Sequence, residues 1–410
     1  MRVVKIMMYT DVQRRVISRR DLPVGIGFTV LFIFHTTVFA QNTELRMPIF
    51  GTLGIIFNIV FCVYAVLVKI WGSKASKKKI FLALVPFIFF IIDLLAPATK
   101  TTIFNFLPIV TISLFCLSSD AVKRETFRLT KIILIAEAFL GIISYTLFVT
   151  NLLPPLSTVD FYEEGSTNLY VNYYYLSILY VTPTGLLCRL CCLFNEPGWL
   201  GTFCALYLIA DGLNLKKIGN IVLFIAGSLA FSLAFWLLIF VYILVYSLGE
   251  KKILLFIIFA CLASVISLGI VDIVSDNEGI TRLFNRFTFE NGSFVGDDRT
   301  SYEFMKLWNE VKNDSSKLFF GVDHYAGDMS TSSYLQYIVN YGLIGVFLLF
   351  VPFIIITLKF ANRNRHSIYF FICFCASIYQ RPQIFTLAYF IILFGGIEYI
   401  YSQKKQMLIK

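Results

Sequence analysis

Five arginines, Arg189, Arg282, Arg286, Arg299 and Arg381, stand beside or between long apolar runs of this 410-residue chain. A guanidinium is a planar fork that grips phosphate oxygens two at a time, so several of them suit a pyrophosphate. Arg189 and Arg381 abut apolar runs directly, where an unpartnered cation costs roughly 3 kcal/mol. Each arginine also has a plainer alternative, as a side chain reaching for an interface or pairing with a nearby acid. Glu196 follows Arg189 in the run Asn195-Glu196-Pro197-Gly198. An acid ahead of a first-turn proline starts a helix; the same carboxylate is also placed to orient Arg189 or a substrate hydroxyl. His324 ends the run Leu318-Phe319-Phe320-Gly321-Val322-Asp323-His324. Its imidazole titrates near neutrality and suits a general base, the alternative being a solvated loop histidine. The other two histidines, His35 and His366, fall in an apolar run and in a basic loop.

The elements that must position these groups are mostly apolar. The chain is 58% hydrophobic and 15% charged, against roughly 25% charge in soluble domains, which implies a multi-span membrane protein. A net charge of +10 does not point to nucleic acid, because Lys and Arg cluster at the ends of apolar runs, as topology signals do. The first run lacks a small-residue cleavage site and is expected to stay in the membrane. The cysteines lie mostly in apolar runs and read as small hydrophobes. Cys188, Cys191 and Cys192 cluster, but nothing completes a metal site with them.

Runs near 22–40, 49–70, 80–97, 102–118, 132–150, 197–215, 218–231, 233–249, 253–271, 342–360, 367–380 and 383–400 are read as spans. The fold class is therefore an all-α polytopic membrane protein of about 12 transmembrane helices, a single integral membrane domain over 1–410. The stretch Ile218–Gly249 is long for one crossing, and two short spans hinged near Gly227-Ser228 keep Arg363 and Arg365 on the basic side. The positive-inside rule puts both termini in the cytoplasm. Two large segments, 151–196 and 271–341, then lie outside. The second holds eleven carboxylates, six Lys/Arg, Trp308 and His324. Asp93, Glu137, Asp211 and Glu398 lie in or at the ends of spans, as an ion path or, more simply, as helix-end residues.

Four pieces in this order resemble a known family. They are Arg189 with Phe194-Asn195-Glu196-Pro197-Gly198-Trp199; Arg282, Arg299 and Trp308 followed by Leu318-Phe319-Phe320-Gly321; Ser332-Ser333-Tyr334-Leu335 continuing through Asn340-Tyr341-Gly342-Leu343-Ile344-Gly345; and Tyr379-Gln380-Arg381-Pro382-Gln383. The combination is similar to the bacterial O-antigen and capsular polysaccharide repeat-unit polymerases (Wzy-type), in the superfamily of the O-antigen ligases. The resemblance implies a type C glycosyltransferase-like fold in the bacterial cytoplasmic (inner) membrane. It also implies inverting transfer between undecaprenyl-pyrophosphate-linked repeat units, donor and acceptor, at the outer face, without metal, cofactor or nucleic acid. A chain-length regulator and a flippase of the same pathway are the implied partners. In that chemistry Arg189, Arg282, Arg286, Arg299, Arg381, Ser333 and Tyr341 bind pyrophosphate and sugar, and Glu196 and His324 are the two options for the base. Tyrosines 170, 173, 174, 175 and 180 are candidates for stacking on sugar rings or for an interfacial belt. Ligases carry a histidine shortly before the Tyr-Leu…Gly-x-x-Gly stretch. Here Ser332 or Ser333 holds that slot and His324 comes earlier, which speaks against a ligase and leaves the role of His324 open. A flippase or other transporter would show internal repeats and short outer loops, and neither is evident.

Overall fold

Backbone groups that water cannot reach must bond within the chain, and the apolar runs accordingly form helices. The computed structural model describes residues 21–41, 47–68, 76–96, 105–163, 166–174, 176–181, 188–252, 289–290, 293–294, 302–322, 335–380 and 384–409. Helices α1 (Asp21–Thr36), α2 (Val38–Gln41), α3 (Pro48–Leu67), α4 (Lys77–Leu95), α5 (Phe106–Leu117) and α6 (Asp120–Val149) come first. Strands β1 (Ser157–Glu163), β2 (Ser166–Tyr173), β3 (Ser177–Val181) and β4 (Cys188–Cys192) follow, then α7 (Pro197–Ala210), α8 (Ile218–Leu229) and α9 (Leu233–Gly249). A short pairing of β5 (Phe289–Glu290) with β6 (Ser293–Phe294) precedes α10 (Tyr302–Asn313), α11 (Ser315–Phe320), α12 (Leu335–Ala361) and α13 (Arg365–Gln380). The chain closes with α14 (Leu387–Phe390), a π-helical turn at Ile391–Gly395 and α15 (Gly396–Ile409).

The described chain is mostly helical, and α3, α6 and α12 are each long and apolar enough to cross a membrane. Shorter apolar helices, among them α1, α5, α7, α8 and α9, fill the space between them. The expected span at 253–271 lies outside the described residues.

Ion pairs tie one end of the bundle together. Lys123 Nζ donates to the Cys116 and Ser118 carbonyls at 2.7 and 2.9 Å, closing the C-terminus of α5. Lys79 Nζ reaches the Ser118 carbonyl at 3.0 Å and pairs with Asp120 at 2.8 Å. Asp211 pairs with Lys131 and, at 3.1 Å, with Lys217, and accepts from the Tyr399 hydroxyl at 2.9 Å. Arg363 pairs with Glu398 at 2.8 Å. Asp211 and Glu398 are thus paired residues of this basic end. The expected span at 132–150 is the far part of a 30-residue helix. Ser119 accepts from the Val122 N–H at 3.1 Å and starts α6 early, so Lys123, Arg124, Arg128 and Lys131 ride on its opening turns instead of a loop.

The segment 151–196 is where the all-α expectation needs amending. It holds a four-stranded antiparallel meander in the order β1-β2-β3-β4. Four of five residues of β3 and all of β4 are buried. Tyr170 and Tyr173 are 3% and 2% exposed, so they pack inside the protein and are closed to sugar rings; Tyr174 is exposed.

β4 reaches deep along α6. A Cβ at Gly141 would lie 2.7 Å from Cys192 Sγ, so only glycine lets helix and strand approach this closely. Gly141 is ten residues beyond Lys131 of the basic end, roughly 15 Å at 1.5 Å per residue, against an apolar thickness of roughly 30 Å. Non-helical backbone at such depth is tolerated only inside protein. The neighbouring α7 is 14 residues long and buried on every side except at Trp199. At about 21 Å it is a core helix, short of a full crossing.

The segment 271–341 ends in a backbone-to-backbone junction. Gly342 breaks α12 with φ 64° and ψ 174°, and Gly321 closes α11 with φ 86°. Both lie in the region that side chains avoid. The Val322 N–H donates to the Val339 carbonyl at 3.0 Å. A Cβ on Gly321 would lie 2.7 Å from the Asn340 oxygen, and one on Gly342 would overlap the Phe319 carbonyl. Below the junction Phe304, Val311, Val322 and Val339 form a small core of their own with Trp308 and Leu318 against it. Gly342→Ala is expected to cost about 3 kcal/mol or more, from the forbidden dihedral and the overlap together. The check is the unfolding midpoint of the purified protein in detergent; an unchanged midpoint contradicts the junction.

Candidate functional site

Arg189 enters the interior on β4, opposite Tyr180 in the strand pairing, with its guanidinium 6.0 Å from the Tyr180 ring. It is 8% exposed. Nε donates to the Ala230 carbonyl at 3.2 Å and Nη2 to the Phe231 carbonyl at 3.1 Å. Those carbonyls belong to the turn between α8 and α9, where Phe231 takes a positive φ of 43°. A helix ending in the interior leaves carbonyls unbonded and a partial negative charge, and a buried cation answers both. The expected hinge at Gly227-Ser228 therefore falls slightly later, at Ala230–Ser232, where Arg189 supplies the partner.

Glu196 stands at the N-cap of α7 in extended conformation, with Pro197 in the first turn. Its side chain makes no capping hydrogen bond, so plain capping does not account for the carboxylate, which is half-buried. Asn195 is held from the sheet, its carbonyl accepting from the Tyr170 hydroxyl at 3.1 Å. The preceding residues are held from the junction of α1 and α2: Thr37 forms an antiparallel bridge with Phe194, and the Val38 N–H donates to the Leu193 carbonyl at 2.7 Å.

Tyr341, one residue before the break in α12, is 8% exposed and donates its hydroxyl to Asp93 Oδ1 at 2.5 Å. Asp93 lies near the end of α4 opposite to Lys77. One turn earlier on α12, the Tyr337 hydroxyl takes a backbone hydrogen bond from Ile384 and lies within electrostatic reach of Tyr389 and Asp93. Tyr389 in turn packs against Trp199, with ring centroids 5.5 Å apart, and Trp199 stands in the first turn of α7 beside Glu196. Phe89 of α4 stacks on Phe385 at 4.1 Å and closes the same region. Carboxylates and aromatic side chains from four separate stretches of chain are thus linked by contact at the end of the bundle away from the ion pairs. Tyr341, Phe385 and Tyr389 are buried and pack this region, and Asp93 and Glu196 bring carboxylate oxygens to it.

Of the residues singled out by sequence, Glu196 and Tyr341 stand in this region, and Arg189 is spent in part on the α8–α9 turn. Arg282, Arg286, Arg299, His324, Ser333 and Arg381 lie outside the described residues. Sequence reasoning passed over Asp93 as a helix-end acid, and the partner that reveals it is 248 residues away in the chain. Among the described residues no three His, Cys, Asp or Glu side chains gather to hold a metal ion. No family model matches the chain, and no curated protein or solved structure matches it.

Removing the Arg189 fork leaves one buried carbonyl, that of Ala230, and one half-buried carbonyl, that of Phe231, short of a partner, the first worth about 1–3 kcal/mol. Arg189→Ala is therefore expected to lower the unfolding midpoint strongly and Arg189→Lys, which keeps the charge but not the fork, by an intermediate amount. Wild-type midpoints for both variants would show that the guanidinium does not cap this turn.

Proposed function

We propose that the chain is a glycosyltransferase of the bacterial cytoplasmic membrane that polymerises undecaprenyl-pyrophosphate-linked oligosaccharide repeat units into surface polysaccharide. The reading places the apolar helices in the membrane, with α7 and α8 as short helices that do not cross it fully, and the ion-paired basic end in the cytoplasm, so that the end holding Glu196, Asp93 and Tyr341 faces outward. The observation that carries it is the junction of Leu318–Gly321 with Asn340–Gly342 beside the Asp93–Tyr341 pair. Two motifs of the family resemblance, far from one another in function if they were loops, are locked into one unit at that end. A carrier of solutes has little use for a small core of extramembrane helices clamped on a broken span; an enzyme acting on a membrane-anchored substrate does.

In the proposed reaction the donor chain leaves undecaprenyl pyrophosphate, already a good leaving group, so fixed positive charge on the departing oxygens helps most. Arg299, Arg282, Arg286 and Arg381 are proposed for that role, together with whatever part of the Arg189 fork the turn leaves over. Ser333 and Tyr341 are proposed to position sugar, and Glu196 or His324 to receive the proton of the attacking hydroxyl. Transfer by direct displacement inverts the anomeric centre and needs no metal when arginines supply the charge. A chain-length regulator and the flippase that delivers the repeat unit are the proposed partners.

A strain deleted for the gene and complemented with wild type, Glu196→Gln or Arg299→Ala tests this, with surface polysaccharide resolved on a gel. A single repeat unit on the acceptor in the deletion strain, returned to a ladder by wild type and not by the variants, is expected. Losses of roughly 100-fold or more in polymer suit an electrostatic or acid–base group. Long polymer held on the lipid carrier would mean a ligase, and absence of repeat units at the outer face would mean a flippase; either outcome overturns the proposal.

A further inference from the structure

The length of α12 fixes where the bilayer must end along it. From Leu343, just past the break at Gly342, to Ala361 the helix runs about 19 residues, roughly 28 Å at 1.5 Å per residue. That matches an apolar thickness of roughly 30 Å. Beyond Ala361 stands Arg363, paired with Glu398 at the basic end, so one boundary lies there and the other at Gly342. Leu343, Ile344, Phe347, Leu348, Ile355 and Leu358 are exposed along this stretch. Their helical spacing makes one stripe, which faces lipid in a crossing helix.

The backbone of Phe319 and Phe320 sits at the Gly342 boundary, since a Cβ on Gly342 would collide with the Phe319 carbonyl and the Phe320 nitrogen. Leu318, just before them, packs on the small core of the outer unit. Successive helix residues point about 100° apart, so α11 seats Leu318 and turns the next two rings away. Phe319 is 46% and Phe320 71% exposed. The neighbouring α10 differs: its exposed positions are mostly polar, Glu303, Lys306, Asn309 and Glu310 among them. One helix of the unit thus suits water, and the end of the other does not.

We propose that Phe319 and Phe320 are a membrane-docking edge, with both rings inserted among the acyl chains of the leaflet away from the ion pairs. This rests on α12 crossing the membrane and is independent of the transferase reading. Phospholipid is the occupant because the pair adjoins, at the same depth, the start of a stripe whose solvent is lipid. The junction also fixes that depth: α11 and α12 meet backbone to backbone, so the pair cannot lift off the boundary while α12 crosses. An aromatic ring leaves water for hydrocarbon wherever hydrocarbon is at hand. Docked in this way, the α10–α11 core is held at headgroup depth, level with the Asp93–Tyr341 bond beside the break.

The test uses the full-length protein in vesicles of phosphatidylethanolamine and phosphatidylglycerol. Phe320→benzoylphenylalanine places a photoreactive group on the edge, with Leu348→benzoylphenylalanine on the stripe and Glu310→benzoylphenylalanine on α10 as references. After irradiation, mass spectrometry of the intact protein measures phospholipid adducts. The Phe320 variant is expected to match the Leu348 variant and to exceed the Glu310 variant about tenfold or more, the preference for hydrocarbon that burying a phenyl ring gives. A yield no higher than that of the Glu310 variant, with adducts on the Leu348 variant, overturns the proposal. Cross-linking of the Phe320 variant to a second copy of the chain in place of lipid overturns it too. No adduct on the Leu348 variant overturns the docking together with its premise, that α12 faces lipid. Should the Phe320 variant not be monodisperse, Phe319→benzoylphenylalanine is read in the same way, and loss of fold in both assigns the pair to packing and overturns the proposal.

Discussion

Backbone at membrane depth has to find its hydrogen bonds inside the protein, and here one guanidinium meets much of that demand. Arg189 lets α8 stop short of a full crossing and turn into α9, because its fork takes the carbonyls of Ala230 and Phe231. The same side chain fastens β4 to that turn, and β4 fastens the sheet to α6 where Gly141 makes room for Cys192. With the strand held, the chain can enter α7 at Pro197 and place Glu196 at its start. A buried charge that would be costly alone becomes stable when it answers a helix terminus. The entry into α7 follows from that one seat.

The opposite end of the bundle is held by charge of another kind. Lys123 and Lys79 close α5, while Asp211 and Glu398 bind α7 and α15 to their neighbours through Lys131, Lys217 and Arg363. Anchored there, the helices have little freedom to slide, and their far ends keep register. On that register depend the Asp93–Tyr341 bond and the break at Gly342, where α11 and α12 meet without side chains between them. Packing, ion pairs and one backbone junction thus fix a set of polar groups that no single helix could present.

Much of this plan is legible in the chain, in proportion to how local its cause is. Pro197 after Glu196 announces a helix start, and α7 begins there. Apolar runs between basic clusters announce helices, and the separation of α8 from α9 follows from a stretch too long for one crossing. What depends on distant partners is not legible. A glycine pair drew the expected hinge to Gly227-Ser228, whereas the break goes to Ala230–Ser232 because Arg189 is waiting there from another element. The sheet is hidden for a similar reason: Leu169, Val171 and Tyr173 alternate with Tyr170 and Asn172 as a strand should, yet both faces are enclosed, so the usual contrast of apolar and polar faces is lost. Asp93 looks like a stray polar residue in an apolar run until Tyr341 is brought to it.

The account stands or falls on where the lipid pyrophosphate binds. A cryo-electron-microscopy structure of the full-length protein in nanodiscs containing undecaprenyl pyrophosphate would locate it. The account predicts pyrophosphate density at the sheet end, between the Glu196–Trp199 entry of α7 and the Tyr341–Gly342 break of α12. Density at the basic end, beside Lys79, Lys123 and Arg363, would contradict it.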